Sequence, residues 1–118
     1  MRKTVLVVED EVLIAMDLER MLVRHGWRVL GPAMTAAEAL RLLDEELPGA
    51  ALLDITLKSG TVTPVAEALR ARNVPFIVAS AYSRPELVGG NALTGAPNVG
   101  KPTDEHRLLA ALEQVVAP

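Results

Sequence analysis

The sequence has no cysteine, only three aromatic residues and no excess of basic charge. Without cysteine, disulfides, thiol nucleophiles and thiolate metal sites are excluded. The aromatic residues are Trp27, Phe76 and Tyr82, so we expect a mainly aliphatic core. The formal net charge is −3 at pH 7. This balance argues against direct nucleic-acid binding, because no basic face compensates phosphate charge.

Long hydrophobic runs are also missing. The apolar run at the start of the chain is ended by Glu9, Asp10 and Glu11, far too early for a secretory segment. No other stretch reaches the length of a membrane span. We therefore expect a cytoplasmic protein without membrane contact. Half of the 118 residues are hydrophobic, so we expect residues 1–118 to form one domain with no separate output domain.

Short apolar runs alternate with segments of helical periodicity along the chain. The predicted strands are Thr4–Val8, Trp27–Leu30, Ala50–Leu53, Phe76–Ala79 and Asn98–Gly100. Five alternating pairs of strand and helix predict a parallel sheet with right-handed crossovers and helices on both faces. In such folds ligands bind at the carboxyl ends of the strands, where the strand order reverses.

The predicted helices follow each strand. They are Val12–His25, a helix with a Thr35–Glu38 capping box, a helix that opens at Thr63, a short helix that opens at Ser83 and a last helix capped by Thr103. Their predicted inner faces are Ile14, Leu18, Met21 and Leu22; Ala36, Leu40, Leu43 and Leu47; Val62, Val65, Ala66 and Leu69; and Leu108, Ala111, Leu112 and Val115. Their i, i+3 and i+4 spacing is typical of one buried helix face.

Polar side chains follow the ends of the predicted strands. Glu9 and Asp10 follow the first, Asp54 the third, Ser80 the fourth and Lys101 the fifth. If the first and third strands are neighbours, the three carboxylates share one pocket and repel each other unless a cation bridges them. Such an oxygen-rich pocket suits Mg²⁺, which also binds phosphate oxygens.

This set of groups is suited to phosphoryl transfer. A carboxylate nucleophile can form an acyl phosphate. The amine of Lys101 can pair with the new phosphate, and the hydroxyl of Ser80 can donate to another of its oxygens. Each residue alone would be unremarkable in a loop, so the prediction depends on their meeting at one edge of the sheet.

Four segments resemble the signature segments of response regulator receiver domains. They are Val5–Glu11, Leu52–Ile55, Ala79–Ala81 and Lys101–Pro102, and the resemblance covers the whole chain. It implies the flavodoxin-like (CheY-like) α/β fold, a doubly wound five-stranded parallel sheet of order 2-1-3-4-5. The segment Val74–Tyr82 is also similar to an alphaproteobacterial subgroup of receivers whose members often act in general stress signalling.

The resemblance implies a role for each residue of the site. Asp54 accepts a phosphoryl group from a histidine kinase or a histidine phosphotransfer protein. Asp10 binds Mg²⁺ directly, Glu9 largely through water, and the backbone carbonyl of Thr56 completes the protein ligands. The phosphate is then contacted by two further side chains, Ser80 and Lys101. The expected protein is therefore a signalling phosphoacceptor rather than an enzyme acting on other substrates.

One departure from the family concerns switching. Most receivers carry Tyr or Phe where this chain has Asn98, and rotation of that ring couples phosphorylation to the output surface. Asn98 cannot act by ring packing, and Tyr82 is a candidate substitute. The expected output is altered binding of a downstream protein, or drainage of phosphoryl groups from a kinase. The resemblance is also compatible with a homodimer formed through the predicted fourth helix, fifth strand and fifth helix.

Two other functions are compatible with this fold class. A flavin- or nucleotide-binding protein needs phosphate-binding amides after the first strand, whereas this chain has Glu9, Asp10 and Glu11 there, which repel phosphate. A phosphorylation-independent adaptor would keep the fold as an interaction surface. The complete acidic site argues against the adaptor, while Asn98 and the short, Gly-rich fourth helix leave it open.

Overall fold

The computed structural model describes residues 3–57, 60–80, 93, 95–100 and 103–116. In chain order its elements are β1 (Thr4–Val8), α1 (Val12–Arg24), β2 (Arg28–Ala33), α2 (Ala36–Glu45), β3 (Ala50–Asp54), β4 (Thr56–Leu57), β5 (Gly60–Thr61), α3 (Thr63–Ala71), β6 (Phe76–Ala79) and α4 (Glu105–Val116). Within these residues, every helix is too short or too polar to cross a bilayer. The predicted short helix from Ser83 lies outside the described residues.

The main sheet is parallel and has the strand order β2-β1-β3-β6. The chain turns to one side of β1 to form β2 and to the other side to form β3, so the order reverses there. The predicted fifth strand is reduced to one parallel bridge between Val78 and Asn98, beside β6. This topology confirms the flavodoxin-like α/β class, and the described residues form four full strands and a fifth position marked by a single bridge.

Both faces of the sheet are buried by helices. Leu6 and Val8 of β1 pack with residues of α2 and α3, whereas Val5 and Val7 pack with residues of α1 and α4. All five residues of β1, and all five of β3, are buried. This is why these strands are continuous apolar runs rather than alternating ones.

The predicted inner faces are confirmed for three helices. In α3 and the residue before it, the four predicted side chains are fully buried; in α1 and α4 the predicted residues are buried or packed against the core. The prediction for Leu47 in α2 is wrong, because α2 ends at Glu45 and Leu47 is 54% exposed. Pro48 follows Leu47 and disfavours helical backbone at that residue, which ends the helix early.

Two helix starts differ from the predicted capping. At α2 the Glu38 N–H donates to Thr35 Oγ1 as predicted, but Glu38 Oε1 accepts from the N–H of Met34 rather than of Thr35. The prediction that Thr103 caps the last helix is wrong. Asp104 occupies that place, accepting the Arg107 N–H at 3.0 Å, because its short carboxylate reaches the free amides of the first turn.

The second strand is longer than predicted and carries a bulge. Pairing runs Leu6↔Leu30 and then Val8↔Ala33, so β2 has one more residue than β1 between these pairs. Gly31 lies in this bulge with φ 98°, and a Cβ there would lie 2.6 Å from the Ala33 nitrogen. β2 can hold Pro32 because it lies at the edge of the sheet.

A small antiparallel hairpin after β3 was not predicted. β4 and β5 are two residues each, with Thr56 paired to Thr61 and Leu57 to Gly60. The pairs lack hydrophobic alternation, so the sequence carries little strand signal here. The hairpin leads the chain from the end of β3 directly into α3.

Candidate functional site

The first acid of the site is fixed by the neighbouring edge strand. Glu9 follows β1 and is 1% exposed. Its N–H donates to the carbonyl oxygen of Ala33 at 2.9 Å, so the bulged end of β2 holds its backbone. Its Oε2 accepts the N–H of Glu11 at 3.1 Å, at the start of α1. The carboxylate therefore has a defined position at the carboxyl end of the sheet.

Three carboxylates meet where the strand order reverses. Val8 of β1 pairs with Leu53 of β3, so Glu9 and Asp54 end neighbouring strands. One carboxylate oxygen each from Glu9, Asp10 and Asp54 lie within 4.8 Å of one another. Glu9 and Asp54 are buried and Asp10 is half-buried, so solvent screens their mutual repulsion only partly. The predicted shared acidic pocket is confirmed.

The donor set of this pocket fits a divalent cation. Its ligands are carboxylate oxygens, which hard cations such as Mg²⁺ prefer, and three negative charges in a small volume favour a positive one. Thr56, predicted to add its backbone carbonyl, begins β4 two residues beyond Asp54. Its role as a ligand stays a prediction.

The hydroxyl residue lies on the other side of Asp54. Asp54 pairs with Ala79 of β6, and Ser80 directly follows Ala79, so Ser80 lies next to the end of β3. Ser80 is 4% exposed. The structure thus brings together four of the predicted site residues, namely Glu9, Asp10, Asp54 and Ser80. Lys101 and Tyr82 lie outside the described residues, and their roles stay predictions.

Asn98 has a role that the sequence did not predict. Its carboxamide Oδ1 accepts the N–H of Ser80 at 3.1 Å and the N–H of Gly100 at 3.0 Å. The bond to Gly100 is an Asx-type contact, which an Asn two residues before a Gly could have suggested. The bond to Ser80 spans 18 residues and depends on the tertiary fold.

A charged cluster joins α1 to α4. Glu105 Oε1 accepts from Arg24 at 2.8 Å, and Glu105 Oε2 lies 2.7 Å from His25 Nε2. The hydrogen bond from His25, followed by that from Arg24, holds the pKa of Glu105 below its ordinary value of 4.5. The end of α1 is thereby tied to the start of α4.

Comparison with known proteins agrees with this fold. Residues 5–113 match the response regulator receiver domain family, to which the chain therefore belongs. The phyllosphere-induced regulator PhyR of Methylorubrum extorquens is 39% identical over 92 residues, covering 75% of this chain and 34% of PhyR. The transcriptional regulatory protein PdtaR of Mycobacterium tuberculosis is 31% identical over 98% of this chain and 57% of PdtaR.

A solved structure of similar length supports the same assignment. The solution structure of SdrG from Sphingomonas melonis matches with a TM-score of 0.81 and 36% identity, covering 98% of this chain and 97% of that one. The chain spans about a third of PhyR and somewhat more than half of PdtaR. It is a receiver domain of phosphorelay response regulators, similar to the PhyR-like receivers of alphaproteobacteria; the adaptor alternative is not favoured.

Proposed function

We propose that Asp54 is the phosphoacceptor of this receiver. The observation that carries the proposal is the cluster of buried Glu9 and Asp54 with half-buried Asp10, whose oxygens lie within 4.8 Å at the ends of two neighbouring strands. Asp54 is the member that adjoins both sides of the site. Glu9 and Asp10 follow β1 on one side, and Ser80 follows β6 on the other.

The proposed step is a simple displacement at phosphorus. A carboxylate oxygen of Asp54 attacks the phosphorus of a phosphohistidine, an O–P bond forms and the P–N bond breaks. The electron pair of the broken bond stays on the imidazole nitrogen of the donor. The Ser80 hydroxyl donates to one phosphoryl oxygen, and the Lys101 ammonium pairs with another.

Glu9, Asp10, Asp54 and the backbone carbonyl of Thr56 would hold Mg²⁺. When bound, the metal supplies positive charge that offsets the charge of the phosphoryl group. The protein itself contributes the positions of these acidic side chains. The buried position of Glu9 and its backbone bond to Ala33 hold one acid still, while half-buried Asp10 remains reachable from solvent.

The phosphodonor is proposed to dock on an exposed apolar face of α1. Val12, Leu13 and Met16 are 58%, 78% and 49% exposed and lie together in the first turns of α1, while Val23, 56% exposed, lies near its other end. This helix begins two residues after Asp10. An apolar face beside the acceptor suits a helical histidine kinase or phosphotransfer protein, which must bring its histidine close to Asp54.

The arrival of the phosphoryl group is proposed to alter the binding of a downstream protein.

The predicted dimer surface includes residues outside the described part of the chain, so the homodimer stays a prediction. A cytoplasmic location is likewise proposed from the receiver assignment.

Intact-mass measurement tests the acceptor. The wild-type protein, treated with acetyl phosphate and Mg²⁺, should gain one phosphoryl group that hydroxylamine removes, as expected for an acyl phosphate. Asp54→Asn should gain none. Asp17→Asn is the matched control, because Asp17 is an exposed acid on α1 (65% of its side chain) and should label like the wild type. Equal labelling of Asp54→Asn would assign the phosphate to another residue.

A further inference from the structure

The side chain of Asn98 joins two segments that carry groups of the site. Its Oδ1 accepts one N–H from Ser80, at the end of β6, and one from Gly100, which directly precedes Lys101. Ser80 is buried, and Asn98 and Gly100 are half-buried. The carboxamide oxygen of Asn98 therefore sets the spacing between the backbone of Ser80, which carries the hydroxyl, and the backbone of Gly100, which precedes Lys101.

Further contacts hold the same segment in place. Val78 of β6 donates its N–H to Pro97 O at 2.8 Å and accepts the N–H of Val99 at 2.9 Å. The hydroxyl of Thr103 donates to Gly100 O at 3.1 Å. Gly100 is thus held at its N–H by Asn98 and at its carbonyl by Thr103. Its φ of 80° is a conformation that favours glycine.

A purely local turn would need only the bond to Gly100. The bond to Ser80 adds a link to the end of β6, and it uses the lone-pair capacity that a carboxamide oxygen has for two donors. The backbone carbonyl of Asn98 is held separately, accepting from Arg107 of α4 at 3.2 Å. The side chain and the main chain of Asn98 can therefore be tested independently.

We propose that Asn98 is a positioning residue for phosphoryl transfer to Asp54. Its carboxamide oxygen fixes the backbone at Ser80 and Gly100, and so positions the hydroxyl of Ser80 and the backbone that leads to Lys101 for the phosphoryl group. This inference rests on the proposed function. It adds no chemical step, and its effect is on the geometry of the step already described. A displacement of about 1 Å in such groups is expected to cost on the order of 10²-fold in rate.

Rates of labelling by phosphoramidate at saturating Mg²⁺ test the proposal. Asn98→Leu has a similar shape without the acceptor oxygen and should lower the maximal rate by about 10- to 100-fold. The donor concentration for half-maximal rate should stay unchanged. Asn98→Asp keeps an acceptor oxygen in place and should keep the maximal rate. Its added negative charge should raise the donor concentration needed.

Two further variants serve as controls. Arg107→Met removes the contact to the Asn98 backbone carbonyl but leaves the carboxamide untouched, and should keep the wild-type maximal rate. Asn98→Ala is a second variant without the acceptor, should Asn98→Leu fail to fold. Amide NMR supplies the direct readout: the Ser80 and Gly100 amide protons should move upfield in Asn98→Leu and Asn98→Ala but not in Asn98→Asp.

The outcomes separate this inference from the proposed function. A folded Asn98→Leu or Asn98→Ala with the wild-type maximal rate would overturn the positioning role while Asp54 remained the acceptor. Equal loss of maximal rate in Asn98→Asp would also overturn it, because the acceptor oxygen would then be irrelevant. A wild-type protein that takes no label would overturn both proposals together.

Discussion

The two sides of Asp54 are built from different chemical groups. On the β1 side lie two further carboxylates, Glu9 and Asp10, with their oxygens close to that of Asp54. On the β6 side, the described residues contribute a hydroxyl residue, Ser80, and a carboxamide, Asn98, joined by a hydrogen bond. The acid side concentrates charge of one sign, whereas the β6 side joins neutral groups by hydrogen bonds.

This difference indicates which side needs a ligand. Clustered carboxylates repel each other, so the acid side gains from any cation that binds there. The described residues of the neutral side are held by the protein's own hydrogen bonds. We infer that the acid side sets the dependence on Mg²⁺ and the neutral side sets the geometry of the phosphoryl group. The following predictions test that division.

The largest effect is expected from Asp10→Asn on the acid side. Loss of this charge should weaken Mg²⁺ binding by at least about 10²-fold, because even groups one contact removed from a metal change its affinity by 10- to 100-fold. Labelling by acetyl phosphate at fixed, low Mg²⁺ should fall with it, and high Mg²⁺ should restore part of the rate. Mg²⁺ titration followed by NMR measures the affinity. An unchanged affinity would remove Asp10 from the cation site.

The next effect concerns stability. Mg²⁺ at 100 times its dissociation constant should raise the free energy of unfolding by about 2.7 kcal/mol, because it binds the folded state alone. Without Mg²⁺, Asp10→Asn should be more stable than the wild type, since one of three mutually repelling charges is gone. Urea unfolding with Mg²⁺ or with EDTA measures both. The division between the two sides would be contradicted if Asn98→Leu abolished the Mg²⁺ effect as completely as Asp10→Asn.

A third effect separates docking from chemistry. Leu13→Asp should slow transfer from a phosphorylated histidine protein by about tenfold relative to labelling by acetyl phosphate, because it places a charge in the apolar face of α1. Leu47→Asp is the control, since Leu47 is also an exposed leucine (54%, against 78% for Leu13) and lies outside α1. Parallel time courses with the two donors give the ratio. Equal ratios in both variants would exclude α1 as the docking face.

The smallest effect is expected from Glu105→Gln. The pKa of Glu105 is held below 4.5, first by His25 and then by Arg24, so its charged form stabilises the fold above that pH. This contribution is lost as the pH falls through the lowered pKa. The variant should melt slightly below the wild type at neutral pH, and the difference should vanish in acid. Because the ion pairs of Glu105 with His25 and Arg24 are partly exposed, the effect should be small. The Asn98 bonds involve neutral groups and should show no such pH dependence.

The sequence predicted the buried part of the fold well. β1 and β6 have the predicted bounds, and β3 extends the predicted strand by one residue to Asp54. These strands are covered on both faces, so an unbroken apolar run identifies them. The full extent of β2 was missed because Gly31 and Pro32 are usually turn residues, and an edge strand with a bulge admits both. The β4–β5 hairpin was missed because two-residue strands carry almost no periodic signal.

The site was predicted from strand ends rather than from any single residue. Asp54, Glu9 and Asp10 meet because parallel strands end at one edge of the sheet, which the alternation of elements already implies. The link between Asn98 and Ser80 could not be predicted in this way. Predicting it requires knowing which backbone amide lies within hydrogen-bond distance of a carboxamide 18 residues away. Hydrophobic periodicity gives no information about such distances.

The bulge in β2 has a consequence for anyone who moves this site into another protein. Ala33, at the end of the bulge, supplies the carbonyl that holds the Glu9 backbone. If β2 paired with β1 without the bulge, Pro32 rather than Ala33 would lie opposite Val8. Copying the acids onto a sheet with a regular edge strand would therefore reproduce the chemical groups but not their spacing. The edge strand β2 therefore sets the position of Glu9 at the centre of the sheet, and a transplanted site must include this strand.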